Sequence, residues 1–381
     1  MERKEMMNGP YLTIPADFDK ERLLEYARLN DEGEFRYPVR EVYGALKCSP
    51  FGSGRHAGSL PDCSEMNFRE YVACGAQHGI ELNYTFNANC LSGRELTPSG
   101  QKDLEKWIRF LVDCGVRKMT VALPPLLDFI HARFPGIQLY LSVVSGVDSL
   151  AKMKWLADAH VLTGVYLHER LYRDMPSLRI ITDYCNSRDL EVGVLVNSLC
   201  DVNCPYRCYH YNLVAHGSEG GEQPFLWYYG TECNLRRIRD PRNVLNLPWI
   251  RPDDMDMYAE LGITKFKVVG RDLVRFHADF TRVIQAYNQG HYEGDLFQLF
   301  MCFARVERAD LFSLVNDKRL SDYLHRVFDG SLHCLSCDDC GFCKPVAAAI
   351  LHDGAVADRY EKIYRERKKL GMSMGYGESG V

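Results

Sequence analysis

No apolar run in this sequence approaches the roughly 20 residues that a membrane-spanning helix requires. Met1 to Asn8 is short and charged, and it lacks the basic, apolar and small-residue zones of a signal peptide. These two absences lead to the expectation of a cytoplasmic protein with no membrane span. Basic residues are not in excess either. The 46 Lys and Arg against 51 Asp and Glu leave a net charge of −5, which argues against a nucleic-acid surface. Common catalytic signatures are also missing. Gly52 to Gly58 is glycine-rich, yet it lacks the Lys-Ser/Thr ending of a P-loop and the spacing of a dinucleotide site. It is expected to be a flexible loop. No HExxH motif occurs, and no Ser/His/Asp arrangement can be assembled from the motifs.

Cysteine, by contrast, is abundant, with 15 in 381 residues. In a reducing compartment such cysteines serve as metal ligands more readily than as disulfides. Cys200, Cys204 and Cys208 follow one another at intervals of four, directly after the apolar run Leu190 to Val196. Pro205 and the polar residues between them predict a loop rather than a core helix. Thiolates on such a loop can turn toward one point, and sulfur prefers iron–sulfur clusters or zinc. A cubane cluster takes four thiolates, or three with one open iron. Cys233, further along the same excursion, and Cys48, at the mouth of the second strand, are both candidates for the fourth position. A radical S-adenosylmethionine motif would need gaps of three and two after an early strand. Here the gaps are three and three, after a late one.

A second group, Cys334, Cys337, Cys340 and Cys343, lies in the tail. The run resembles a ferredoxin cluster segment, and four thiols so close together do not easily surround one zinc. It is expected to hold a second iron–sulfur cluster or zinc.

Strand and helix patterns alternate along the chain. Strands are expected at Tyr11 to Pro15, Val42 to Leu46, Leu82 to Asn87, Lys118 to Leu123, Leu139 to Val144, Gly164 to His168, Leu190 to Val196 and Lys265 to Val269. Amphipathic segments such as Ser99 to Gly115 lie between them. This pattern predicts an α/β fold, a (β/α)8 TIM-like barrel over residues 10–275, with an open doubly wound sheet as the alternative. Residues 276–370 are expected to form a helical, cysteine-rich extension, with helices at Leu273 to Tyr287, Leu296 to Val306, Arg319 to Phe328 and Val356 to Leu370. Residues 371–381 show no packing pattern and are expected to be disordered.

Polar residues recur where the strands end, which in a barrel is one face. Glu169, in His168-Glu169-Arg170, suits a general acid or base or a structural salt bridge. Arg271, near Lys267, suits a clamp for a carboxylate. His210 and His216 follow the cysteine loop and could donate to sulfur or substrate.

The residues themselves resemble a family. Val194 to Cys200, followed by Cys204-Pro205-Tyr206-Arg207-Cys208, is similar to the cysteine segment of the collagenase-like peptidase U32 family. Trp249 to Met255 and Gly262 to Arg271 resemble that family's next block, with Val269 in place of its usual Glu before Gly-Arg. His168-Glu169-Arg170-Leu171 is similar to an Arg-Glu-Leu strand end. The resemblance spans about residues 10–275. It implies a barrel carrying a [4Fe–4S] cluster, with oxygen-independent hydroxylation or another redox modification of a small organic molecule or a modified base. A cysteine at the end of the second strand also occurs in the family, which bears on Cys48. An electron donor or a heteromeric partner is implied as well. Two other functions remain open: a U32-type peptidase, and a non-catalytic cluster-bearing subunit.

Overall fold

The computed structural model of the chain describes residues 9–33, 35–47, 49–219, 228–332, 334 and 340–369. Eight parallel strands close into a barrel in chain order: β1 (Tyr11–Pro15), β2 (Val39–Gly44), β3 (Glu81–Phe86), β4 (Lys118–Val121), β5 (Gln138–Leu141), β6 (Gly164–Tyr166), β7 (Glu191–Leu195) and β8 (Lys265–Lys267). Tyr11 of β1 pairs with Lys265 of β8, and Leu12 pairs with Val39 of β2. That closure excludes the open doubly wound sheet, in which the first and last strands would be edges. Every expected strand is present. β2 starts three residues early, at Val39, because the carbonyl of Pro38 already accepts from Leu12 at 2.9 Å.

The strands alternate as a barrel demands, but their inward faces are unusually polar. Leu82, Tyr84 and Phe86 join the apolar layer, whereas Asn83 and Thr85 take part in polar contacts across the lumen. At the strand starts, fully buried Glu41 is the hub. Lys265 donates to it at 2.7 Å and Lys118 approaches to 3.8 Å. Tyr166 donates at 3.1 Å and Asn83 at 3.3 Å. A buried carboxylate costs several kcal/mol unless it is paired and hydrogen-bonded, and here it is both. Gly193 makes room for this layer, since a Cβ there would lie 2.5 Å from the Tyr166 ring.

The outer helices start where the sequence offers capping side chains. Asp19, Ser64, Thr97, Ser149 and Asp174 each accept a backbone N–H in the first turn of their helix. The helix Pro98–Asp113 buries Leu104, Ile108 and Leu111 along one stripe against the barrel.

After β8 the chain continues through helices Phe280–Asn288, Leu296–Phe300, Lys318–Phe328 and Gly354–Lys369. Two-residue strands β9 (Phe312–Ser313) and β10 (Leu351–His352) pair antiparallel among them. Leu320, Tyr323, Val346 and Tyr360 share one apolar cluster with the barrel helices. Two expected helices are shorter than their apolar spacing suggests. Leu296 to Val306 stops at Phe300, because Cys302 and Phe303 take positive φ of 55° and 52°. Leu273 to Tyr287 is broken by His277, also at positive φ, and restarts where Asp279 caps Arg282. Residues 371–381, expected to be disordered, lie outside the described residues. No helix among the described residues is long and apolar enough to cross a membrane.

Candidate functional site

The strand ends open into a cavity of about 380 Å3. Tyr43, Thr85, Thr120, Ser142 and Lys267 line its floor, and Asn197, Ser198 and Cys200 come from the segment after β7. The glycine-rich segment forms part of the wall. It is not loose, as its composition suggested: Ser53 N donates to Ser218 Oγ at 2.7 Å and Gly54 N to Asn87 Oδ1 at 3.0 Å. A Cβ on Gly54 would meet Asn87 Nδ2 at 2.6 Å, so only glycine allows this approach. The loop thereby carries Arg55 and His56 into the cavity.

Asn197 and Ser198 fix the ends of two neighbouring strands. The Asn197 amide binds both backbone groups of Val269 and also donates to the carbonyl of Phe300 at 2.9 Å. Ser198 donates to Glu169 Oε1 at 3.1 Å. Buried Cys302 receives a 3.4 Å contact from Asn197 Nδ2 and donates to the carbonyl of Val269. No periodicity marked Cys302. Only its neighbours in space give it a place.

Glu169 is buried and forms an ion pair with Arg207. Each of its oxygens therefore holds a donor, Ser198 on one and Arg207 on the other. This is the salt-bridge geometry anticipated as one of its two roles, and its partner lies inside the cysteine segment. Arg207 was missed as a functional residue, although it stands between Cys204 and Cys208. Arg271 is buried beneath the cavity, and its Nη1 donates to Thr85 at 2.9 Å and to Ser53 at 3.5 Å. Burial, then the adjacent Arg55, lowers its guanidinium to about 10, so it stays charged near neutrality. Burial holds His210, which lines the cavity, down to about 4, with Arg55 adding to the effect. His216 is exposed and does not reach the cavity.

The cysteine segment is only partly a loop. Cys200 and Cys204 lie on the turn, but Cys208 is in the first turn of a helix, Arg207–Gly217. That helix packs against a second one, Tyr228–Arg239, through Tyr229, whose ring lies 5.5 Å from Tyr206 and 5.4 Å from His210. Cys233 is on the second helix. The C-terminal helix clamps it from outside, with Arg239 2.9 Å from Glu361 and Arg367 paired with Glu232. Cys200 and Cys233 each feel the charge of Cys204, and Cys200 also feels that of Cys233. Burial raises the Cys200 thiol to about 12, while Arg207 opposes this; Arg237 plays the same part beside Cys233. Cys208 is exposed.

Among the described residues, no group of three or more His, Cys, Asp or Glu side chains forms a ready metal site. The donor chemistry nonetheless suits a thiolate-held group, with the Cys200 and Cys233 thiols on the cavity wall and the guanidinium groups of Arg207 and Arg237 beside them to offset negative charge. Cys48 lies outside the described residues, so the structure does not weigh it against Cys233. In the tail, Cys334, Cys340 and Cys343 line one cavity of about 320 Å3, together with Tyr323 and Arg236. Cys337 lies outside the described residues.

No protein-family model matches the chain. Over 307 residues, 79% of this chain and 85% of the other, it is 27% identical to the "Uncharacterized protease MJ1657" of Methanocaldococcus jannaschii. Among solved structures, the U32 peptidase Mk0906 aligns with a TM-score of 0.46 at 15% identity, covering 68% of this chain and 91% of that one. The YdjI aldolase from Escherichia coli K12 aligns with a TM-score of 0.39 at 10% identity, over 80% and 89% of the two chains.

Proposed function

We propose that this U32-type barrel is an iron–sulfur enzyme that hydroxylates or otherwise oxidises an organic substrate without molecular oxygen. The observation that supports this reading is that Cys200 and Cys233 line a cavity walled with apolar and cationic side chains, and that both feel the charge of Cys204. Cys200, Cys204 and Cys233, with Cys208 or Cys48, would hold a [4Fe–4S] cluster. When bound, such a cluster supplies one-electron chemistry at the edge of the cavity. The chain's own residues do the rest. Val143, Leu195, Phe297 and Phe300 exclude water from the substrate's body, and Arg271 and Lys267 offer charge from the floor. Glu169, locked between Ser198 and Arg207, keeps the cysteine segment seated on the barrel. The tail cysteines Cys334, Cys337, Cys340 and Cys343 would hold a second cluster or zinc, with a redox partner as electron donor or acceptor.

Peptide hydrolysis is the second reading, since the archaeal relative carries the name protease. It needs a nucleophile activated by a base. Neither cavity histidine, His56 or His210, is hydrogen-bonded to a serine or cysteine among the described residues, which favours the redox reading.

Anaerobic purification separates the two. The expected product is brown, with broad visible absorbance and about four iron and four sulfide per chain for the barrel site. Colourless, iron-free protein that cleaves peptides overturns the proposal.

A further inference from the structure

The cavity holds more positive charge than its own carboxylates neutralise. Arg55, Arg237, Lys267, Arg271, Arg275 and Arg308 line it, against Glu169 and Asp272. Both carboxylates are engaged. Arg207 takes Glu169, while Arg308 at 2.5 Å and Arg55 at 3.5 Å take Asp272. Arg237 donates to the carbonyl of Leu199 at 2.6 Å.

Neither Arg271 nor Lys267, the two cations at the floor, forms an ion pair with a described carboxylate; Arg275 likewise donates only to a carbonyl, that of Gly58 at 3.4 Å, among the described residues. Arg271 is 5% exposed, and among the described residues its acceptors are two hydroxyls. Its buried Nε has no hydrogen-bond partner among the described residues. The Lys267 ammonium lies 3.6 Å from the centre of the Tyr43 ring, and the Arg271 guanidinium lies 5.6 Å from the same ring. Two cations thus lie against one aromatic ring at the bottom of a cavity. Deeper in the barrel, Glu41 is already held by Lys265 at 2.7 Å. A buried guanidinium held only by hydroxyls among the described residues lacks the anion that normally accompanies it.

The geometry points to Arg271 and Lys267 as a two-pronged oxyanion site, which takes the carboxylate or phosphate-monoester head of a small organic substrate. The apolar body of that substrate lies against Val143, Leu195 and Phe300. Burial, then Arg271, holds the Lys267 amine well below its ordinary value. An anion between the two groups offsets that repulsion. The field also suits capture: a cationic recess in a chain of net charge −5 focuses anions toward one point.

This inference rests on the proposed function only in taking the same cavity as the substrate site, and the two can fail separately. The cations beside Cys200 and Cys233 are Arg207 and Arg237. Arg271 and Lys267 are a different pair, so their loss should spare bound iron.

The test is calorimetric titration of the anaerobically purified full chain with benzoate, its uncharged counterpart benzamide, and phenyl phosphate. Benzoate or phenyl phosphate is expected to bind at least about tenfold more tightly than benzamide, and whichever anion binds better identifies the head group. Arg271→Gln and Lys267→Met are each expected to abolish the preference while leaving iron and sulfide content unchanged. Arg271→Lys should retain part of it. Equal binding of benzoate, phenyl phosphate and benzamide by the unmodified protein overturns the inference, even if a variant does not fold. So does a folded Arg271→Gln protein that keeps the preference. Absence of iron, with the anion preference intact, counts against the redox reading and not against this one.

Discussion

Asn197 is joined to Val269 at both ends of its side-chain amide: Oδ1 accepts from the Val269 N–H at 2.6 Å, and Nδ2 donates to the Val269 carbonyl at 2.7 Å. The two residues follow β7 and β8, so one side chain sets the spacing of the strand ends between which the cysteine segment departs. Cys200 is three residues further along.

Asn197→Ala should leave buried backbone groups of Val269 and Phe300 without partners. Each such loss costs about 1–3 kcal/mol. Urea denaturation should show destabilisation of at least that size. If the connection positions Cys200, iron retention should fall in the same variant. Unchanged stability would show that water replaces the amide.

Glu169→Gln should destabilise the fold by about 3–5 kcal/mol, because it leaves the guanidinium of Arg207 largely buried without its counter-charge. Replacing both residues, Glu169→Gln with Arg207→Met, should recover much of the loss. A double-mutant cycle measured by denaturant melts would reveal this as strong coupling. Additive effects would mean that the pair contributes little.

Cys200→Ser, Cys204→Ser and Cys233→Ser should each lower the iron and sulfide content of anaerobic preparations. Cys208→Ser and Cys48→Ser decide the remaining ligand: only the one that supplies a bond should give the same loss. Full iron occupancy after Cys233→Ser would remove that helix from the site.

Glu41 should govern the acid limb of stability. Burial alone would raise its carboxyl, but Lys265 and Lys118 outweigh burial and hold it below the usual carboxylate value. A carboxyl lowered in the folded state stabilises above the unfolded value of about 4.3. That contribution disappears as the pH falls below this range. Glu41→Gln should therefore lower the melting temperature at pH 7, by leaving Lys265 buried without a counter-ion, and should flatten its decline below about pH 4. Equal acid sensitivity in both proteins would assign the limb to other carboxylates.

The sequence by itself determined the barrel. Strand patterns such as Leu82, Tyr84 and Phe86 repeat every two residues, helices such as Pro98–Asp113 carry a stripe every three to four, and side-chain caps mark where helices begin. These signals are local, so they can be read along the chain. The strand-end positions of Glu169, Asn197, Cys200 and Arg271 followed from the same periodicity. Only the tertiary structure decided which of them meet. The helices Arg207–Gly217 and Tyr228–Arg239 were not anticipated, and the second is held by Arg367 and Glu361 from the far end of the chain. The engagement of Glu169 by Arg207 joins residues 38 positions apart, and Asp272 turns to Arg308 and Arg55, leaving Arg271 and Lys267 with no ion pair among the described residues. Such pairings are set by closure of the barrel, which brings distant strand ends to one rim, and no local pattern in the sequence encodes them.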